Sequence, residues 1–565
     1  MTRFSRTFLS FFVLLNLWDS NAVADEQAAN RADALFDIMN VIDVEIRLSS
    51  DQWQIMQPPE DTNWDIGKAF EKLMQDAVAG GDLHSADSSR PGLAGYMGID
   101  HQYGKGNVII DGESVSDVGV RFKGNGTFAE GHASGKYSFK IDFNEYVDGQ
   151  EFRGLKKINL HSCISDPSMM REALSLEIFR EAGIPASRTS WAHVYLTVPG
   201  TFDRHYRGLF EVVEQIDKRF LKDRYGNADG LLLKPSTFGA FRYFEEGWER
   251  YERAYVPKTD ATPEQQQHVM DFAKLVHTAD DETFADQVEQ FLDVDQFLQF
   301  LALNALLSNL DSFLGGSQNY YAYLEPESGQ VQMIPWDMDH SLGAFMLLGT
   351  PEDRRNLSIN HPQIGEDHKV ISRLLNIPAY QKRYREHIEQ QMKTSFSEKK
   401  LLNRIDELAA VLRPEITKEG EDRLKRFEAS LAETASMWSP HLIKQFVRGR
   451  HEAVRAQLSG QADGKVLSWE PTGEVVQTWI TIGISALVVL MLNAAAWLWG
   501  VIAGFRSSGK WGMANLMLYP ISPLIFGFYA QKERGRKAAV VTLICSCLFI
   551  AVLGIAFSAA QKLPH

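Results

Sequence analysis

The C-terminal end constrains this chain most, because no charged residue occurs from Val475 to Phe505, from Trp511 to Gln531 or from Ala538 to Gln561. Each interval is long enough to cross the ~30 Å of hydrocarbon in a bilayer as a helix. Spans are expected near residues 479–503 and 538–559, with an ambiguous segment at 511–530, where Pro520 and Pro523 remove backbone donors and kink a helix. Loop charge arbitrates. If the first span brings the chain inside at Arg506 and Lys510, a complete second span would place Lys532, Arg534, Arg536 and Lys537 outside, against the positive-inside tendency. A middle segment that dips in and returns keeps both basic loops cytoplasmic. Two full spans plus one re-entrant or interfacial segment are therefore expected.

The opposite end carries Arg3 and Arg6, an apolar run from Phe8 to Trp18, and Ala22-Val23-Ala24 before Asp25. That three-part pattern is a secretory signal peptide over residues 1–24. The body is accordingly expected outside the cytoplasm, periplasmic or at the cell surface, tethered to a bacterial cell membrane. Of the formal charge of -15, residues 1–24 carry +1 and residues 476–565 carry +6, which leaves -22 for residues 25–475. So acidic a body repels a phosphate backbone, and no nucleic-acid partner is expected. Cys545 and Cys547 sit in the apolar end, so Cys163 has no internal disulfide partner in the body.

Within the body, residues 41–49 alternate as a half-buried strand, and Asp51-Gln52-Trp53 opens a helix. Residues 77–98 read as an irregular insertion. From Gly106 to Phe143 the pattern is strand, Asp111-Gly112 turn, strand, glycine-rich break and strand. Asp166-Pro167 predicts a helix start, with Met170, Leu174 and Ile178 at helical spacing until Gly183. Strands follow at 192–198 and 208–213, and the rest is mostly helical, with Phe297, Leu301 and Ala305 marking one helix and Leu401, Ile405, Leu408 and Leu412 another. The aromatic stretch from Phe238 to Tyr255 reads as core packing ahead of an exposed binding segment.

The chemistry-bearing stretch runs from Asn309 to Tyr323, between an apolar helix and a short hairpin that ends in Pro335-Trp336-Asp337-Met338-Asp339. Phosphoryl transfer needs a carboxylate near the attacking hydroxyl, and an amide oxygen plus a carboxylate for the metal that neutralises a triphosphate. Asp311, Asn319 and Asp337 or Asp339 can fill those roles. On the strand from Lys136 to Phe143, Lys136, Ser138, Lys140 and Asp142 share one face, so either lysine can point at a nucleotide. His161 has no second histidine at metal-ligand spacing, and no G-x-S-x-G occurs.

In these motifs the chain resembles the CotH kinase family. The likeness runs from about Val41 to about Gly343. It is carried by Val118-Gly-Val-Arg-Phe-Lys-Gly-Asn-Gly126, Lys136-Tyr-Ser-Phe-Lys-Ile-Asp-Phe143, Met170-Arg-Glu172, Glu181-Ala-Gly183, Gly208-Leu-Phe-Glu-Val-Val-Glu-Gln-Ile-Asp217, the Asp311 to Asn319 loop and Pro335-Trp-Asp-Met-Asp339. The resemblance implies an α+β, atypical protein-kinase-like two-lobed fold with a helical C-terminal extension, followed by transmembrane helices. Its parts would be residues 25–105 as a β/α segment, 106–213 and 214–380 as the two lobes, 381–470 as the extension and 471–565 as the membrane domain.

The same resemblance implies ATP with Mg²⁺ or Mn²⁺. Lys123, Gly124, Asn125 and Gly126 would cover the phosphates, and Lys140, or else Lys136, would contact them. Glu172 would pair with that lysine and Arg171 would touch phosphate, although adjacent helical residues point some 100° apart. Glu214 or Asp217 would hold the ribose. Asp311 resembles the catalytic-loop aspartate, and Asn319 the metal-binding asparagine, eight positions on where the common kinase loop has five. Asp337 would ligate the metal, with Asp339 as a second ligand or in its place. The activity implied is transfer of a nucleotide γ-phosphoryl group to Ser or Thr of an exported or cell-envelope protein, or of the chain itself. Rival expectations are a non-catalytic surface-binding protein on a degenerate kinase fold and a two-carboxylate glycan hydrolase.

Overall fold

Alternation of apolar and polar residues builds the first half. Seven strands, β1 (Val41–Leu48), β2 (Gly104–Ile110), β3 (Glu113–Lys123), β4 (Ser138–Asp142), β5 (Lys157–His161), β6 (Thr189–Val198) and β7 (Phe202–Glu214), close into a barrel in the order β1-β2-β3-β4-β5-β7-β6. The β1–β6 seam is parallel and the other pairings are antiparallel. Asp111 and Gly112 both have positive φ, as a two-residue turn matching the strands' right-handed twist requires. Val44, Ile46, Val120, Phe122, Phe139, Ile141, Leu160, Val194 and Val212 fill the interior. In this computed structural model the described residues are 32–468, apart from 61, 63, 79–82, 85–89, 238, 246, 365–367 and 434–441, with scattered positions between 491 and 513.

Below the barrel, a three-stranded sheet of β8 (Leu231–Leu233), β9 (Tyr320–Leu324) and β10 (Val331–Pro335), ordered β10-β9-β8, packs with helices. The Val294–Leu306 helix is apolar on nearly every side and buried along its length, and Asp293 caps it by accepting from the Gln296 amide. The helices Glu398–Thr417, Glu421–Leu431 and Ile443–Leu458 form the extension. All of this belongs to one unit, Met1–Phe345 with Arg354–Val466. A second unit holds Met346–Asp353 and Leu467–His565; in it Thr350 and Asp353 cap each other reciprocally.

Three local expectations change. The helix after Asp166-Pro167 begins only at Arg171, because the Asp166 carboxylate accepts from the Ser168 and Arg171 amides and Met169 adopts a left-handed φ of 58°, folding a turn first. The glycine-rich break after β3 holds a helix, Gly126–Ser134. The 77–98 stretch contains the end of one helix, Ile66–Val78, and a short one, Leu93–Tyr96. The aromatic stretch packs inward through Phe241, Phe244, Tyr251 and Tyr255, all buried. Among the described residues no helix is long and apolar enough to cross a membrane. The signal peptide expected at 1–24, the spans expected near 479–503 and 538–559 and the ambiguous segment at 511–530 lie outside the described residues, save for those scattered positions.

Candidate functional site

Strand register assembles the upper wall of the site. Phe122, Phe139, Leu160 and Val212 pair across β3, β4, β5 and β7 and point into the barrel. Their neighbours Lys123, Lys140, Asn159, His161 and Glu211 must then face outward. Outward does not mean solvated, since Asn159, His161 and Glu211 are all buried. Burying such groups costs several kcal/mol unless they are bonded or serve a ligand, so this face stands out from the rest of the barrel.

Glu172, in the first turn of the Arg171–Glu181 helix, meets that wall. Its Oε2 accepts from His161 Nδ1 at 2.6 Å, and His161 Nε2 faces the Lys123 ammonium. An ammonium can only donate, so Nε2 is the acceptor and the proton sits on Nδ1. A Lys123–His161–Glu172 chain results. The other oxygen, Glu172 Oε1, is buried and has no hydrogen-bond partner among the described residues.

The hairpin β9–β10 supplies the lower wall. Asn319 immediately precedes β9 and its Nδ2 donates to the Asp311 carbonyl at 2.7 Å, while Trp336 N donates to the Asn319 carbonyl at 3.3 Å. The longer Asp311–Asn319 spacing is absorbed by a turn in which the Gly315 and Gln318 amides donate to Ser312 O, with Phe313 and Leu314 buried. Asp337 follows the strand end in a left-handed conformation, φ 58°, instead of continuing the strand. Met338 is buried between the two aspartates, its sulfur 3.2 Å from Asn309 Nδ2. His161, Glu172 and Asp337 bring ligand atoms within 4.8 Å of one another.

Electrostatics divide the acids. Burial raises Asp339 to about 7, opposed by His340 and reinforced by Asp337, Glu172 and Asp311. Burial acts on Asp337 too, but the positive groups around it, Lys123 foremost and then Lys234 and His340, outweigh it and hold that carboxyl below the ordinary value. Asp311 is raised by burial. Burial pulls His340 down, yet Asp339, Asp311 and Asp337 together raise it. Burial lowers Lys123 against the pull of Asp337 and Glu172, and lowers Lys140 well below an ordinary lysine with Arg121, Lys157 and Lys123 adding to it. Asp337 is thus the most readily ionised of the aspartates in the cluster.

The structure brings Lys123, Lys140, Glu172, Asp311, Asn319, Asp337 and Asp339 into one cluster of interacting groups, and directs other expected residues elsewhere. Lys140 donates to Gln215 Oε1 at 2.9 Å, so Glu172 pairs with His161 and not with that lysine. The Lys136 ammonium is taken by Glu419 of the extension at 2.9 Å and by Leu209 O at 3.0 Å. Arg171 is buried against Asp166 and Ser168, which removes it from any phosphate. Glu214 is claimed by Arg188 and by Arg224 at 3.2 Å, and Asp217 caps the Lys218–Tyr225 helix through the Arg219 and Phe220 amides, so neither carboxylate is free for a ribose.

The turn after Lys123 also differs from an open flap. Gly124 has φ 106°, and its carbonyl accepts from Arg90 Nη2 and His101 Nε2 at 3.1 and 3.0 Å before Asn125 and Gly126 start the helix. A Cβ at Gly124 would collide with Thr127 Oγ1, so the turn needs glycine there. Sequence reasoning set His161 aside for want of a neighbouring histidine, and missed Lys234, His340 and Glu211. The alternation of Lys157–His161, which puts Asn159 and His161 on one face, was the available signal for His161.

A family model for the CotH kinase protein matches residues 120–454, well over half of the chain. The chain belongs to the CotH kinase protein family. The CotH match starts within β3 and runs through the extension into the Ile443–Leu458 helix, further than the motifs that end near Gly343. Inner spore coat protein H of Bacillus subtilis is 24% identical over 331 residues, covering 57% of this chain and 83% of that protein. Invasin CotH2 of Rhizopus delemar is 22% identical over 377 residues, covering 64% of this chain and 61% of its own length. An inner spore coat protein H-like protein of Bacillus subtilis is 23% identical over 277 residues, 48% of this chain and 71% of its own.

The residues gathered here are ones that could hold a divalent metal. The Asn319 amide oxygen and the Asp337 carboxylate are oxygen donors of the kind Mg²⁺ and Mn²⁺ take, and the unpartnered Glu172 Oε1 and the crowded acids are groups a cation would relieve.

Proposed function

We propose that this chain is a membrane-anchored, extracytoplasmic kinase that transfers the γ-phosphoryl group of ATP to Ser or Thr hydroxyls of exported proteins or of itself. The observation that carries the reading is the convergence of Asp311, Asn319 and Asp337 at one end of the β9–β10 hairpin, facing Lys123. Asp311 would accept the proton of the attacking hydroxyl as its oxygen bonds to phosphorus, the bond to the β-phosphate breaks and ADP leaves. Lys123 and Lys140 would orient the phosphates, with Lys123 placed by His161 and Glu172. Asn319 and Asp337 would hold the metal, which supplies charge neutralisation.

Anchoring rests on the charge-free C-terminal intervals, and on exposed Met491, Leu498, Trp499, Ile502, Phe505 and Met513 among the few described positions there. A surface location agrees with the coat and invasin names of the relatives. Those names also favour a second reading, a surface protein that binds a partner through this fold without catalysis.

Thermal unfolding of the full chain with ATP and Mg²⁺ or Mn²⁺ tests the first reading. A rise in Tm of several degrees that Asp337→Ala abolishes, together with transfer of labelled γ-phosphate to protein, is the expected result. Binding without transfer supports the second reading, and no binding removes the first.

A further inference from the structure

Lys234 follows β8, whose three leucines are buried, and its position is tightly set: its own amide donates to Val256 O, and Lys258 N returns to Leu232 O at 2.7 Å. The side chain lies against Trp336 and Tyr321, with the ammonium 5.4 and 5.5 Å from the ring centroids. Lys123 lies against the same indole at 4.9 Å. Among the described residues neither ammonium forms an ion pair with a carboxylate, and Lys234 has no hydrogen bond to its ammonium at all. Lys140 is satisfied by a neutral amide. Three half-buried lysines therefore lie within one another's field beside Trp336, and burial followed by the field of Lys123 drives Lys234 down to about 7.

Like charges desolvated together destabilise a fold, and aromatic faces offset only part of that cost. Asp337 contributes one negative charge nearby. Such an arrangement is stable in use when a ligand carries several closely spaced negative charges. We infer that Lys234 and Lys123, both set against Trp336, form a clamp for a linear polyphosphate, and that this clamp grips the phosphate chain without requiring a nucleobase. The inference rests on the kinase reading for its setting and names the part of the substrate that the lysine cluster recognises.

The test is calorimetric titration of the full chain, in detergent and MgCl₂, with sodium tripolyphosphate, ATP and adenosine in parallel. The expected result is that tripolyphosphate and ATP bind and adenosine does not. Lys234→Met should weaken both anions about tenfold or more, while Lys234→Arg stays within about threefold of wild type. Without ligand, Lys234→Met should unfold at a higher temperature than wild type, because a half-buried cation that has no ion-pair partner and lies beside Lys123 is gone; a merely structural lysine would lower it. Lys234→Gln repeats the comparison with a polar side chain should the methionine variant misfold. Unchanged tripolyphosphate affinity in the neutral variants, or no tripolyphosphate binding by wild type, overturns the clamp. If wild type binds tripolyphosphate and ATP but transfers no phosphate, the clamp stands and the kinase reading falls; if ATP binding and transfer persist unchanged in Lys234→Met, the reverse holds.

Discussion

Asp339 shows how one buried side chain can work against the fold that holds it. Its folded-state value of about 7 lies far above that of an unfolded aspartate, so the folded state keeps a proton that the unfolded chain has lost. Stability from this group is present below about pH 4 and is lost as pH rises toward 7. Asp339→Asn should therefore raise metal-free stability at pH 8 by about 1–3 kcal/mol, with the gain shrinking toward pH 4; a uniform shift across pH in denaturant melts would refute the assignment. His161 has the opposite role, because it satisfies one oxygen of buried Glu172. His161→Leu leaves that carboxylate unpaired and should cost about 1–3 kcal/mol, whereas His161→Gln keeps a donor and an acceptor and should recover most of it. Equal melting temperatures for the two variants would show that the Lys123–His161–Glu172 chain carries no energy.

Between the elements, the decisive events occur where strands and helices end. Asp217 caps a helix, and Asp337 terminates a strand in a left-handed turn that redirects its carboxylate. Asp217→Ala should destabilise the chain by about 1 kcal/mol through the lost cap, and leave ATP affinity within about twofold, as titration would read. A large loss of affinity would restore the ribose role. The helical extension is stitched on in the same residue-by-residue manner: Glu419 takes Lys136, Arg404 pairs with Glu177 at 2.9 Å, and Arg450 donates to the Ala305 and Leu357 carbonyls at 2.8 and 2.6 Å. These bonds explain why the family domain runs through the extension and does not stop at the hairpin.

Taken whole, the molecule is vulnerable to acid. Burial holds His368 at about 4 and His101 at about 3, so the unfolded chain binds protons that the folded chain refuses. Their contribution is complete above about pH 6.5 and falls by roughly 1.4 kcal/mol per group per pH unit below it, until each folded-state value is reached. Denaturation midpoints should drop between pH 6.5 and 4, and His368→Gln should reduce the slope; a flat profile would contradict the burial. Several elements were legible from local pattern alone: β1, the Asp111-Gly112 turn, the inward Phe139 and Ile141, and the apolar Val294–Leu306 helix. So were the polar residues flanking the hairpin, since Asn319 and Asp337 border consecutive strands. Periodicity tells which face a residue occupies, and chain neighbours tell what terminates an element. Partner choice is different, because it depends on groups far apart in sequence. That Lys136 goes to Glu419, 283 residues away, that Glu172 takes His161, and that Lys234 joins Lys123 at Trp336 were decided only when the barrel closed and the extension packed against it. A charge's role is set by the dielectric and the counter-charges around it, and those exist only in the folded chain.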